Sequence, residues 1–325
     1  MTSINIEFAI QDNQTGVIYD ASEIIGNITW SGQITGQPGK LTYDIVRDGS
    51  VSFYEGSPCS LIVDGYKLFY GWVFNKSRSN REITSVTAYD AVRYLKNSDV
   101  RVFPAGTSST RFTQLCKETE LPFRVVHPSS YVLPVKAFDN KTYYDMLDDG
   151  ITNTLIHTGQ WFVIRDNFGV IEFLDIAKLK TNLVIGDASL MTGYNYTTSI
   201  DEGTANRIKL TRPNPNTGKR DVYMVLDSST IARWGLLQHY ESLDDNLNEA
   251  QIRQRAEQLL KIKNRVTRKL SLNCIGDFRV MPGNSIWVET QLEDMHLSRY
   301  MLVHGVTHTI KNKMHTMKVS LEVAE

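Results

Sequence analysis

The segment Met301–Val323, MLVHGVTHTIKNKMHTMKVSLEV, holds three of the seven histidines of the chain, His304, His308 and His315. Its first part alternates apolar and polar residues, is rich in β-branched side chains and contains one glycine, a pattern typical of a strand. Its second part alternates in the same way. The segment therefore predicts a β-hairpin that closes a strand-rich domain.

Three histidines so close together also suggest a metal site. On a helix, His304 and His308 would lie one turn apart and could share a zinc ion. On one face of a strand they lie about 13 Å apart, at roughly 3.3 Å per residue, whereas zinc needs each nitrogen at about 2 Å. His315 faces His308 only if the turn is centred on Lys311 and Asn312, and a third ligand is then still missing. We expect no metal, no cofactor and a hairpin covered on both faces.

The chain has 325 residues, with 35 lysines and arginines against 36 aspartates and glutamates, a net charge of -1. This length predicts two or three domains. The charge lacks the basic footprint of a protein that grips nucleic acid phosphates, so no sequence-specific nucleic acid is expected. We see no signal peptide and no membrane segment, which predicts synthesis in the cytoplasm. Cys59, Cys116 and Cys274 match no metal or redox spacing and are expected to be buried or reduced thiols.

Short strands and turns dominate residues 26 to about 90. Asp48-Gly49 and Asp64-Gly65 each lie between alternating runs, and Asp-Gly is a strong signal for a two-residue hairpin because both positions need positive φ. The following AYDAVRYLKNS predicts a short helix with Asp90 as its N-cap and an end near Ser98. Its apolar stripe consists of Ala91, Val92 and Leu95.

Residues 99 to about 182 combine helices with strands. A helix is predicted from about Thr110 to Glu120, with Pro122 just beyond its end. One face of this helix carries Phe112, Leu115 and Cys116. A second helix is predicted in KTYYDMLDDGITNTLIHTG, followed by a hairpin whose two runs flank Asp166-Asn167. This region predicts a small α+β domain.

Strands return from about Leu183 and are interrupted by one helix over residues 247–264. The opposite sides of this helix are apolar and polar, which predicts that it lies on a surface. The stripe consists of Ile252, Ala256, Leu259, Leu260 and Lys263. Pro282-Gly283 fits a type II turn between two of the last strands.

No residue pattern typical of an active site is visible. The GxSxG, HExxH, P-loop and GxGxxG motifs are absent, and Cys116 would sit on the apolar face of a helix without a basic partner. The carboxylate clusters Asp148-Asp149, Glu241 with Asp244-Asp245, and Glu293-Asp294 are expected to be solvated or to stabilise helix starts. We therefore predict no catalytic, cofactor-binding or metal residue, and the sequence alone assigns no partner-binding residue.

Two long segments resemble parts of the baseplate hub proteins of contractile injection systems. Leu68–Asp99, LFYGWVFNKSRSNREITSVTAYDAVRYLKNSD, resembles that family's glycine-containing strand, variable hairpin and Ala-Tyr-Asp before a short helix. Met281–Val323 resembles its closing barrel, with Pro-Gly before an Ile-x-Val strand, a Val-x-His-Thr strand and a final hairpin. The family includes XkdQ-type prophage tail proteins and late control protein D, and the resemblance covers nearly the whole chain.

The resemblance implies a mainly β fold with an α+β insertion. Two small antiparallel, tube-like β-barrels would occupy residues 1–98 and 183–325, the second including the 247–264 helix, and an α+β domain at 99–182 would link them. It also implies a homotrimer that forms a pseudo-sixfold ring and adapts a sixfold tail tube to a threefold spike, as a structural part of a phage tail or a contractile bacteriocin. The implied partners are the tail tube protein, the spike protein, other baseplate proteins and, as a further candidate, the tape measure protein. The chain would be made in the bacterial cytoplasm and become part of the assembled particle.

Other functions stay open at this point. A peptidoglycan-cleaving hydrolase at the tail tip is favoured by the acidic clusters and by relatives that are fused or bound to such a domain. A carbohydrate-binding adhesin would require secretion, and the missing signal peptide argues against it. The sequence leaves open whether DNA passes through the channel, as in a phage, or not, as in a bacteriocin.

Overall fold

The computed structural model describes residues 4–78, 82–201, 203–214, 217–243, 247–292 and 295–322. The chain divides into two compact units: unit 1 comprises Met1–Leu155, Gln160–Asn195 and Leu270–Glu325, and unit 2 comprises Ile156–Gly159 and Tyr196–Lys269. Strands dominate, so the predicted mainly β fold class is confirmed. The three domains predicted at 1–98, 99–182 and 183–325 stay a prediction. No helix of the described ranges is long and apolar enough to cross a membrane.

Seven strands form the N-terminal part of unit 1. They are β1 (Ile6–Gln11), β2 (Ile18–Asp20), β3 (Ile25–Gln33), β4 (Lys40–Val46), β5 (Pro58–Val63), β6 (Tyr66–Arg78) and β7 (Ile83–Tyr89). All pairings among them are antiparallel, in the order β3-β4-β7-β6-β5-β1-β2. Asp64 and Gly65, with φ of 50° and 78°, join β5 to β6 in a two-residue turn. This confirms one of the two predicted hairpins.

The other predicted hairpin, at Asp48-Gly49, is wrong. β4 pairs with β3 and β7, and the chain continues from Val46 through irregular backbone to β5. Asp48 accepts hydrogen bonds from the backbone N–H and the hydroxyl of Ser50, at 2.9 and 2.5 Å, and Gly49 has a φ of 83°. The Asp-Gly signal therefore marks a real turn, but β4 finds its partners elsewhere in the sheet.

A short helix and an α+β region follow β7. The predicted helix is a 3-10 helix, Ala91–Lys96, and Asp90 caps it as predicted by accepting the N–H of Val92 at 3.0 Å. Next come β8 (Ser98–Phe103), β9 (Gly106–Thr107), α1 (Ser108–Glu118), β10 (Phe123–Val125), β11 (Val132–Leu133), β12 (Lys136–Thr142), α2 (Tyr143–Thr158), β13 (Phe162–Asn167) and β14 (Val170–Asp175). Both helices predicted in this region are present.

One apolar core joins these elements. Thr107 and Thr110 form a capping box that starts α1, and its predicted face, Phe112, Leu115 and Cys116, is buried against α2 and β14 residues. The turn between β13 and β14 lies at Phe168-Gly169, two residues beyond the predicted position. The reason is local, because the Asp166 side chain accepts the N–H of Gly169 at 2.8 Å and so precedes the turn.

The chain then passes through a 3-10 turn, Ile176–Lys178, toward unit 2. The elements that follow are β15 (Lys180–Gly186), β16 (Met191–Ser199), β17 (Arg207–Asn214), β18 (Lys219–Leu226), α3 (Ser228–Trp234), β19 (Gln238–Ser242) and α4 (Glu249–Lys263). In unit 2, β17 lies between antiparallel β18 and parallel β19. The helix predicted at 247–264 is α4, which starts at a capping box of Asn248 and Gln251. It buries Ile252, Ala256 and Leu259 against one face of this sheet.

The last strands belong to unit 1 and extend its N-terminal sheet. They are β20 (Thr267–Ile275), β21 (Ser285–Leu292), β22 (Met295–Lys311) and β23 (Met314–Glu322), with the first residues of β20 in unit 2. β22 pairs with β21 up to Leu302 and with β3 from Gly305, while β23 pairs along its opposite edge. A single 13-stranded sheet therefore unites N-terminal and C-terminal strands. Gly283, with a φ of 87°, and the bond from the Asn284 N–H to the Met281 carbonyl fit the predicted type II turn.

The final hairpin turns at Asn312 and Lys313, both with positive φ. A β-bulge between Val303 and Gly305 shifts the alternation by one residue. Val303 is buried before the bulge, and Val306, His308 and Ile310 are buried after it. The prediction that His304 and His308 share one face is therefore wrong, because a strand bulge is invisible to a period-two pattern.

Candidate functional site

His308 of β22 and His315 of β23 meet on the core face of the final hairpin. Nδ1 of His308 lies 3.0 Å from Nε2 of His315, and Nε2 of His308 lies 3.0 Å from the carbonyl oxygen of Val280. A carbonyl oxygen only accepts, so the Nε2–H of His308 donates to Val280. In a neutral His308 ring Nδ1 then carries no proton, so it accepts the Nε2–H of His315.

Aromatic rings enclose this histidine pair. Only 1% of His308 is exposed, and its ring centroid lies 5.6 Å from that of Trp30 and 5.4 Å from that of Phe278. Phe278 also stacks on His315, with centroids 3.8 Å apart and planes at 14°. Burial is the main cause that lowers the pKa of both histidines to about 4. Both rings are therefore neutral at pH 7.

The pair has the chemistry of a structural hydrogen bond. Both nitrogens of His308 are engaged, which leaves no lone pair for a metal ion. Among the residues that the structure describes, no group of three histidine, cysteine or carboxylate side chains could hold a metal. The predicted condition for contact, a turn centred on Lys311 and Asn312, is wrong. His308 pairs with Met317 across the hairpin, and its ring reaches His315 diagonally.

The structure places two described members of the predicted carboxylate clusters, Asp149 and Glu241, in separate ion pairs. Asp149, on α2 beside Asp148, accepts from Nζ of Lys136 at 2.7 Å. Glu241, on β19, accepts from Nη2 of Arg255 at 2.7 Å. These carboxylates therefore have roles within the fold. The remaining predicted residues, Asp244-Asp245 and Glu293-Asp294, lie outside the described residues.

Asp90 and Asp166, two carboxyl groups that the sequence did not connect, line one small cavity. Asp90 is 6% exposed and accepts the N–H groups of Gly39 and Val92, at 2.7 and 3.0 Å. Burial, with the negative charge of Asp166, raises the pKa of Asp90, and burial raises the pKa of Asp166 to about 6. The two line a cavity of about 20 Å³, enough for about one water molecule. Sequence signals marked Asp90 as a cap and Asp166 as a turn residue, and only the tertiary fold joins them.

A wider groove of about 340 Å³ lies where β3, β22 and β23 approach the start of β4. Its polar walls are formed by Ser31, Gln33, Lys40, Thr307, Lys318 and Ser320. The described residues that line it include no carboxylate, histidine or cysteine. It therefore lacks the paired carboxylates of a glycosidase.

All three cysteines are free and buried, which confirms the prediction of buried thiols. Burial raises the pKa of Cys59 and Cys116 to about 12 and that of Cys274 to about 11. The thiolate is the reactive form, so these side chains are poor nucleophiles in the folded protein.

The most exposed apolar side chains of unit 1 include three valines on the outer face of the β8–β12 ladder. Val100, Val102 and Val135 are 69%, 62% and 58% exposed, and Ala137, opposite Val102, is also exposed. We call these four residues the valine ribbon. Contiguous exposed apolar side chains of this kind are typical of interaction surfaces. The Val-x-Val spacing was visible in the sequence, but not that its apolar face is open to solvent.

A family model described as YQBQ-like matches residues 28–322 of this chain. The chain belongs to the YQBQ-like family. Protein YqbQ of Bacillus subtilis, named as uncharacterized, is 28% identical over 305 residues, 91% of each chain. The XkdQ protein of the phage-like element PBSX of Bacillus subtilis is 25% identical over 283 residues, 85% of each chain. The resemblance to XkdQ-type tail proteins seen in the sequence is confirmed.

The fold of this YQBQ-like chain is similar to that of a solved phage-derived protein. The 43 kDa tail protein of prophage MuSo2 from Shewanella oneidensis superposes with a TM-score of 0.72, covering 97% of this chain and 98% of that one, at 12% identity. The matched 97% of this chain includes residues of both units. The mainly β architecture is therefore similar to that of this prophage tail protein.

Proposed function

We propose that this chain is a structural hub subunit at the base of a phage tail or of a tail-derived bacteriocin. The observation that carries this proposal is strand β22. It pairs with the C-terminal β21 along its first half and with the N-terminal β3 along its second half. Two strand-rich parts of one chain thereby share a continuous sheet, as expected for two barrel-like domains held in fixed register.

Three such chains would present six strand-rich parts around one axis. A ring of this kind has threefold symmetry in its chains and near-sixfold symmetry in its domains, so it can join a sixfold tail tube to a threefold spike. We also propose that each strand-rich part closes into a barrel. The proposed partners are the tube protein, the spike protein, other baseplate proteins and the tape measure protein.

The valine ribbon supports a role in assembly. Apolar strand faces of this exposure are a liability in a protein that stays alone, and they become pairing surfaces in a ring. Val100 and Val102 alternate with the half-buried Arg101, so the same strand presents an apolar outer face and an inner face that packs on the fold. We place the ribbon at a contact within the assembled particle.

The test is the mass in solution, measured by light scattering, together with negative-stain images. The expected result is the mass of three 36.9-kDa chains and a ring with near-sixfold features, for the chain alone or with its tube and spike neighbours. A strict monomer under all these conditions would contradict the proposal.

We further propose that the chain has no catalytic role in peptidoglycan cleavage. The Asp90–Asp166 pair has the raised pKa values that a general acid needs, but its cavity of about 20 Å³ cannot admit a sugar ring. Incubation with purified peptidoglycan should release no soluble fragments. Release that is abolished by Asp166→Asn, but not by the control Asp175→Asn, would favour the hydrolase.

A further inference from the structure

Among the described residues, no helix packs on one face of the three-stranded sheet of unit 2. Its other face packs on α4, whereas Val222, Met224 and Leu226 of β18 and Tyr240 of β19 remain 50–53% exposed on the open side. We call these four residues, with Arg207 and Lys209 of the intervening strand β17, the open sheet face. Four large apolar side chains on neighbouring strands form a patch of the kind that marks an interface.

The open sheet face is also positively charged. Arg207 pairs across the ladder with Leu226, and Lys209 with Met224 and Tyr240. Nε of Arg207 is buried and has no hydrogen-bond partner. Within the part of the chain that the structure describes, no carboxylate forms an ion pair with Arg207 or Lys209. Two cations therefore lie among apolar groups, and no carboxylate of the described residues pairs with them.

The carboxylates of the same strands lie on the opposite side. Asp221 alternates onto the helix side of β18 and pairs with Arg212, and Glu241 alternates onto the helix side of β19 and pairs with Arg255. The sheet is thus polarised, with its acidic groups neutralised on the α4 side. A partner for the open sheet face should be apolar and should bring carboxylates.

Another part of the same chain fits this description. Unit 2 carries 13 basic and 9 acidic residues, a net charge of +4, so the rest of this -1 chain carries -5. The valine ribbon lies outside unit 2. Its own strands carry Arg101, Lys136 and Lys141 beside Asp99 and Asp139, and Arg101 and Lys136 are neutralised by Glu118 and Asp149. Asp139 follows its Ala137 by two residues on β12, is exposed, and forms no ion pair within the described ranges. The ribbon thus offers an apolar surface with a free carboxylate beside it.

We propose that the open sheet face of one copy binds the valine ribbon of the next copy. A closed ring needs two different, complementary patches on each chain, and these two patches match in polarity and charge. The proposal rests on the ring proposed above and adds the location of the contact. It places Met224 near Val102 and Lys209 near Asp139 across the boundary between copies.

Cysteine cross-linking tests the contact directly. The full chain with both Met224→Cys and Val102→Cys, assembled into rings and mildly oxidised, should give covalent dimers and trimers on a non-reducing gel. Each single-cysteine variant should run as a monomer on the same gel, because a head-to-tail contact does not bring two equal positions together. The three native cysteines are buried and leave the background low.

Charge reversal gives a second measurement. Lys209→Glu and Asp139→Lys should each weaken ring association about tenfold or more in dissociation constant, and the double variant should recover most of the loss. Lys261→Glu, the same charge change at an exposed position of α4, is the matched control and should leave the association constant unchanged.

The outcomes separate this contact from the proposed function. Rings that form normally, but give no cross-link in the double-cysteine chain and no response to Lys209→Glu, would overturn the contact and leave the hub function intact. Loss of binding to the tube or spike protein in Lys209→Glu, with rings intact, would assign the face to another protein and also overturn it. A chain that forms no ring under any condition would overturn both.

Discussion

Nδ1 of His308 and Nε2 of His315 lie 3.0 Å apart in a hydrogen bond that runs diagonally across the last hairpin. The bond closes a chain that continues from His308 to the carbonyl of Val280. It ties β23 to β22 and both strands to the loop that precedes β21. Because the accepting nitrogen must be unprotonated, the hairpin depends on neutral histidines.

This dependence predicts a loss of stability in acid. The pKa of His308 is about 4 in the folded chain and about 6.5 in the unfolded one, so the unfolded state takes up a proton first as the pH falls. As the pH falls from 7.5 to 5, the titration of His308 should lower the free energy of unfolding by about 2 kcal/mol. The free energy of unfolding, measured with urea at several pH values, should depend clearly less on pH in His308→Gln than in the wild type.

The control for that experiment is His304→Gln, which removes a histidine outside the pair. It should retain the pH dependence of the wild type. An equal acid response in wild type and His308→Gln would show that other groups cause it. Asp90 and Asp166 cannot, since raised pKa values make the native state gain stability as the pH falls through them.

Gly276 should tolerate no side chain. A Cβ atom there would lie 2.2 Å from three atoms of the His315 ring. This ring also stacks on Phe278, so it has little room to move away. Gly276→Ala should cost about 1–3 kcal/mol in chemical denaturation. Gly193→Ala is the matched control, because its nearest neighbour is at 3.9 Å, and it should stay within about 0.5 kcal/mol of wild type. Equal stabilities for the two variants would contradict the packing described.

Asp90 should matter more than an ordinary helix cap. It satisfies two buried N–H groups, whereas Asp175 caps the 3-10 turn Ile176–Lys178 through one N–H. Asp90→Ala leaves the Gly39 and Val92 donors unpaired, and we expect a loss of about 2–3 kcal/mol. Asp175→Ala should lose about 1 kcal/mol. A calorimetric or urea comparison that ranks the two in the opposite order would be inconsistent with this role.

The three thiols should not react with a thiol reagent until the chain unfolds. Cys59, Cys116 and Cys274 are all buried, with raised pKa values. A thiol-reactive dye should label none of them in native buffer within minutes and all three in denaturant. Rapid labelling of even one thiol in native buffer would show that its surroundings open on that timescale.

Local signals in the sequence located most elements of the fold. The stripe of Ile252, Ala256 and Leu259 predicted the buried face of α4, and Asp64-Gly65 predicted a hairpin whose turn chemistry is complete in two residues. The same reasoning failed at Asp48-Gly49, where the local turn is real but the strand before it pairs far away in sequence. Local chemistry determines turns and helix faces, while strand partners depend on the whole sheet.

The same distinction between local and tertiary causes applies to the histidine pair and to the Asp90–Asp166 pair. The sequence by itself determined that the last segment is a hairpin with alternating buried positions, and that Asp90 starts a helix, because both follow from backbone periodicity and capping. Only the tertiary structure decided that a bulge at His304 takes this residue off the face of His308, that the β22–β23 register brings His308 and His315 together, and that Asp166 joins Asp90. It also decided which apolar strand faces stay open, because exposure depends on what packs from elsewhere in the chain. The valine ribbon and the open sheet face alternate like any core strand, and they stay exposed because no element among the described residues covers them.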